Sequence, residues 1–195
     1  MDDGSITLLV ALIVLIAFSA FFSASETAFS SLNQIRLKSR AEDGDSSAAR
    51  VLAMAEQYDK LLSTILIGNN VVNITATTVA TVLCTRWFHQ YGPTVSTVAL
   101  TVIILIFGEI SPKSLAKEHA ESFAMFSAPI LRVFLLVLRP LNFLFSLWKK
   151  LVSRFFKTDD NTKMSHEELL LFMEDVEQDG GIDENEGELL RNALE

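Results

Sequence analysis

Several chemistries are missing from this 195-residue chain. A single cysteine, Cys84, excludes an internal disulfide and any Cys-x-x-Cys metal site, and one cysteine in an apolar run is most often filler. The three histidines, His89, His119 and His166, all lie outside the long apolar runs. No HExxH, GxSxG or paired-aspartate motif is present, and His166-Glu167 lacks the second histidine of a zinc protease, so an enzyme is not expected. Basic residues are also scarce. Sixteen Lys and Arg stand against 24 Asp and Glu, which argues against nucleic-acid binding.

Hydrophobic residues are abundant, at 50% of the chain. Gly4 to Ser25, Leu61 to Thr85 and Gln90 to Gly108 carry no charge. Each reaches the roughly 20 residues that a helix needs to cross a bilayer. The first run could be mistaken for a signal peptide, but Asp2-Asp3 replaces the basic leader and the run is too long. The acids collect elsewhere: residues 159–195 hold 13 acids and 2 bases. The expected fold is therefore an all-α integral membrane protein. Residues 1–157 form a transmembrane domain with juxtamembrane helices, and residues 158–195 a short acidic cytoplasmic helical segment.

Basic residues set the orientation. Arg36, Lys38, Arg40, Arg50 and Lys60 follow the first run, only Arg86 follows the second, and Lys113 and Lys117 follow the third. The positive-inside rule puts the N-terminus outside and everything after Pro112 in the cytoplasm of a plasma-membrane, multi-pass protein. Residues 122–156 are apolar but interrupted by Pro129, Arg132, Arg139 and Pro140. Their uncharged stretches are too short to cross, and Trp148 beside Lys149-Lys150 suits a headgroup zone, so amphipathic helices on the inner surface are expected rather than a fourth crossing.

Each apolar run carries polar residues that lipid disfavours. Ser19, Ser23, Glu26 and Ser30 share one face of the first helix. Asn69, Asn73, Thr77 and Thr81 recur every four residues in the second, with Asn70 beside them and Gly68 before them. The third ends in Gly108-Glu109-Ile110-Ser111-Pro112-Lys113. Pro112 has no N–H, so a carbonyl near Gly108 loses its helical partner, and a broken helix with a bare carbonyl is expected there. An acid within a span usually meets a cavity, a partner or an ion. Hydroxyl, amide and carbonyl oxygens suit hard cations such as Mg2+, Ca2+ or Na+. The plainer reading is helix packing by small residues and interhelical hydrogen bonds.

In order and spacing, Ser19 to Ala28, Gly68 to Asn73 and Gly108 to Lys113 resemble the transmembrane domain of the CorC/cyclin M (CNNM) magnesium transporter family. The resemblance implies three transmembrane helices per subunit, a homodimer and a juxtamembrane belt. It implies Mg2+ export coupled to Na+ influx. It assigns the ion to Ser19, Ser23, Asn69, Asn73 and the neighbouring Asn70, with the Gly108 carbonyl and Glu109. Members continue into a pair of CBS domains that bind ATP. This chain stops at Glu195, where they would begin, so truncation before them is expected and ATP would act only through those absent domains.

The acidic end holds a capping box at Ser165 to Glu168, and Asp175 to Glu186 is spaced like an EF-hand loop with Glu177 where Asp or Asn is usual. No second hand follows, and a helical linker toward regulatory domains is the preferred reading. Two functions from different classes are compatible with these features. One is a magnesium transporter; the other is a membrane anchor and dimerisation module for a cytoplasmic sensor.

Overall fold

The structure, a computed structural model, describes residues 3–155. The chain divides into two units, Met1–Leu147 and Trp148–Glu195. Of the second, only the end of one helix falls among the described residues, so the capping box, the calcium-like loop and the acidic segment 158–195 lie outside them.

The uncharged runs become long helices. Helix α1 spans Asp3–Ser30 and α4 spans Tyr58–Phe88, each longer than a bilayer crossing requires. Between them lies a hairpin of two short helices, α2 (Gln34–Glu42) and α3 (Ser46–Ala55). Both have side-chain caps. Asn33 Oδ1 accepts from the Arg36 N–H at 3.0 Å, and Asp45 Oδ1 accepts from Ser47 and Ala48 N–H at 2.9 and 3.2 Å. The turn between them uses Gly44 at φ 94°, a conformation that costs glycine little. The Ala48 N–H, the Arg40 guanidinium and the Ser47 N–H hold the Asp45 carboxyl below its usual range. That support is present above the unfolded carboxylate pKa and fades as pH falls through the lower folded value.

After α4 the chain reverses through a 3-10 turn, His89–Tyr91, where His89 takes φ 50°. Helix α5 (Gly92–Ile103) starts with Pro93 in its first turn, where the missing N–H costs nothing. It returns along α4: the Ser96 and Thr81 hydroxyls are 3.1 Å apart, and a side chain at Gly92 would collide with the Thr85 backbone. A π-helical segment, Ile104–Ile110, then leads into α6 (Ser111–Glu118). The apolar stretch Tyr58–Glu118, which doubles back at His89–Tyr91, is long enough for two crossings, and α1 for a third.

Helix α7 (Ala120–Val137) is also long and apolar enough to cross by length and composition. Its contacts place it otherwise. At its start, Glu121 meets Arg36 and Arg40 of α2 at 3.4 and 3.5 Å. Just beyond its end, α8 (Arg139–Phe155) begins, and Asn142 donates to Thr64 Oγ1 in the second turn of α4 at 2.7 Å. Both ends of α7 thus sit at the same end of the bundle. Its aromatic residues are far apart along the helix yet converge on one turn of α1: Phe123 meets Phe21, and Phe134 meets Phe18 and Phe22. Helix α7 crosses α1 instead of running beside it, which fits a juxtamembrane position.

The best-packed core lies at this end. Phe22, Leu37, Val51, Leu61, Ile65 and Leu131 are each at most 1% exposed. Away from it, Ile6, Val10, Ile13, Ile74, Val98 and Val102 are exposed, as expected of surfaces that lipid covers. The molecule is an all-α, multi-pass membrane protein.

Gly68 sets how closely α1 and α4 approach. A Cβ there would lie 2.5 Å from Cζ of the buried Phe22 ring. Overpacking of this kind costs about 1–3 kcal/mol. Gly68→Ala should therefore lower the thermal midpoint in detergent, and adding Phe22→Leu should recover part of the loss. An unchanged midpoint in the single variant would show that the ring has room to move.

Candidate cation site between three helices

The polar stripes meet where α1, α4 and the π segment face each other. On α1, Ser19 and Ser23 are completely buried. On α4, Asn69 and Asn73 are half-buried. On the π segment, Gly108 is buried and Glu109 half-buried.

Ser19 Oγ donates to Asn69 Oδ1 at 3.3 Å, and Asn73 Nδ2 donates to the same oxygen at 3.4 Å. Both bonds are long. A Cβ built on Gly108 would fall 3.0 Å from Ser19 Oγ, so the hydroxyl lies directly against the third crossing and leaves little space for a side chain. Four residues from three helices, Ser19, Asn69, Asn73 and Gly108, therefore form one oxygen-rich region, and Ser23 follows Ser19 by one turn on the same face of α1.

Two oxygens on these stripes have no partner. Ser23 Oγ and Asn73 Oδ1 are buried and make no hydrogen bond. Hydroxyls in these helices commonly turn back to the carbonyl four residues earlier. Ser25 does so to Phe21 at 2.7 Å, Thr77 to Asn73 at 2.8 Å and Thr81 to Thr77 at 2.8 Å. Ser23 does not. An unpaired buried polar group costs about 1–3 kcal/mol, so each demands a reason.

The sequence suggested a broken third helix. The chain instead stays helical, with Ile110 and Ser111 both in the right-handed region. The turn before Pro112 is π-helical: the Ser111 N–H reaches back five residues to the Ile106 carbonyl. The carbonyl left without the Pro112 N–H is that of Gly108 at α spacing and of Phe107 at π spacing. The π segment was not anticipated; its signal was the short interval from Gly108 to Pro112.

Asn70 is not brought to this region. It is exposed, and its amide donates to the Leu66 carbonyl at 2.8 Å. Glu26, on the Ser19–Ser23 face, pairs instead with Lys113 at 3.3 Å. Among the described residues, no group of three or more His, Cys, Asp or Glu is gathered as for a metal ion. What converges is a set of neutral oxygens, with the Glu109 carboxyl next in sequence to Gly108, a donor set for a hard cation.

Ser23 provides a check on the unpaired-oxygen reading that does not depend on transport. In buffer free of divalent ions, Ser23→Ala should leave the thermal midpoint unchanged or raise it, because about 1 kcal/mol of desolvation cost is removed. A clear drop would show that the hydroxyl has a structural partner.

Comparison with known proteins agrees with this architecture. Residues 10–186 match the family model described as the cyclin M transmembrane N-terminal domain. A UPF0053 protein of Haemophilus influenzae is 42% identical over 74% of this chain and 34% of its own length. The UPF0053 inner membrane protein YfjD of Escherichia coli is 36% identical over 72% of this chain and 33% of its own. A chloroplastic DUF21 domain-containing protein of Arabidopsis thaliana is 32% identical over 94% of this chain and 28% of its own. The chain thus spans about a third of the length of the curated relatives it matches.

Proposed function

The chain belongs to the cyclin M transmembrane-domain family, and from that premise we propose that it is the membrane part of a magnesium transporter. Mg2+ is its cargo. The ion is received between α1, α4 and the π segment by the Ser19 and Ser23 hydroxyls, the Asn69 and Asn73 amide oxygens and the Gly108 carbonyl. Glu109 serves as a further ligand or as the charge that links occupancy to movement. Asn70 faces outward and takes no part in this set. Mg2+ gives up its water reluctantly, so neutral oxygens would replace only part of its shell. One carboxylate keeps the affinity moderate, which release requires.

The observation that carries this reading is the pair of buried, unpartnered oxygens, Ser23 Oγ and Asn73 Oδ1, on facing helices. Each has a lone pair that only a donor or a cation can use. The remaining features of the reading are export in exchange for Na+, assembly as a homodimer, and a plasma-membrane setting with the N-terminus outside. The surplus of Arg and Lys on α2, α3 and α6 supports this orientation.

A second reading is favoured by one bond. Ser19 and Asn69 join α1 to α4, as polar glue in a membrane anchor would. Flux separates the two. A ligand to a charged ion is worth about 1.5–3 kcal/mol, or roughly tenfold and more in affinity. In proteoliposomes, Ser23→Ala and Asn73→Ala should each reduce Mg2+ flux by about that factor. Undiminished flux in both would reject the site; no flux from the unsubstituted protein would favour the anchor.

A further inference from the structure

A single ion pair ties the first crossing to the helix that follows the third, at the edge of the oxygen-rich region. Lys113 Nζ lies 3.3 Å from Glu26 Oε2. Glu26 comes three residues after Ser23 on the same face of α1. Lys113 comes four residues after Glu109, about one helical turn away, where side chains at this spacing are neighbours. One ammonium is thus paired with Glu26, while Glu109 precedes it by four residues in the chain. Glu109 forms no ion pair among the described residues. Arg36 and Arg40 are held elsewhere, both by Glu121 of α7 and Arg40 also by Asp45, the cap of α3.

The consequence is electrostatic. A lysine released from Glu26 has Glu109, four residues earlier, as an alternative partner. Once there, it would neutralise the only acid of the oxygen set and place a positive charge against any arriving cation. The Glu26–Lys113 pair itself is partly open, with side chains 29% and 42% exposed, so it adds little to stability. Its position, rather than its strength, is informative.

We propose that Glu26 is a positioning residue that holds the Lys113 ammonium off Glu109 and so keeps the Glu109 carboxylate available to a divalent cation. The proposal rests on the transport reading above, because it takes the region around Glu109 as the cation site. It makes Lys113 a tethered competitor of the cargo and Glu26 the group that restrains it.

The test is epistasis in direct binding. The whole chain in lipid nanodiscs is titrated with MgCl2 by calorimetry. Glu26→Gln should raise the Mg2+ Kd by roughly tenfold, the scale of one nearby unit charge in a partly wet site. Adding Lys113→Met should bring Kd back to the unsubstituted value or below, and Glu26→Asp should retain it. A purely structural ion pair would show no such rescue. If Glu26→Gln does not fold, Lys113→Met alone decides: a lower Kd is expected, and an unchanged or higher one overturns the proposal. An unshifted Glu26→Gln, or a double variant as weak as the single, also overturns it while leaving transport intact. If the unsubstituted protein binds no Mg2+, the transport reading falls and this proposal falls with it.

Discussion

Inside a bilayer, a polar atom without a partner has nowhere to turn. Water is absent, and the backbone of each helix already uses its own groups. Most hydroxyls here solve this locally by bonding the previous turn, as Ser25, Thr77, Thr81 and Thr101 do. Ser23 and Asn73 leave oxygens unpaired, each within one turn of the point where Ser19, Asn69 and Gly108 meet. The functional reading depends on that local deficit and on the packing that keeps it from being filled.

The packing has two parts. Glycines bring helices close enough to share oxygens: Gly68 admits the Phe22 ring, and Gly108 admits Ser19. At one end, the α2–α3 hairpin and α7 close around Phe22, Leu37, Val51 and Leu131. Glu121 anchors α7 to α2, and Arg40 also reaches Asp45, the cap of α3. The site is therefore fixed to a well-packed collar, while the opposite ends of α1, α4 and α5 present apolar side chains outward.

Much of this was legible beforehand, for identifiable reasons. Charge-free runs mark crossings because an unpaired charge in lipid is costly, and the stripes Ser19–Ser23 and Asn69–Asn73 follow helical spacing. Periodicity could not say which way Asn70 points, since it is adjacent to the stripe and only the rotation of α4 against α1 decides. It could not distinguish a break from a π turn at Pro112, because both accommodate a missing N–H. Helix α7 was ambiguous for another reason. Its length and composition suit a crossing, and only the partners of Glu121 and of Asn142 just beyond its end reveal that its two ends lie together.

The most direct test of the central claim is to locate the ion itself. A high-resolution structure in lipid with Mg2+ should show one ordered cation bounded by Ser23 Oγ, Asn73 Oδ1 and the Gly108 carbonyl, at about 2.0–2.1 Å or through a single water layer. An ordered Mg2+ elsewhere in the membrane, with Ser23 and Asn73 still unpaired or bonded only to each other, would contradict it.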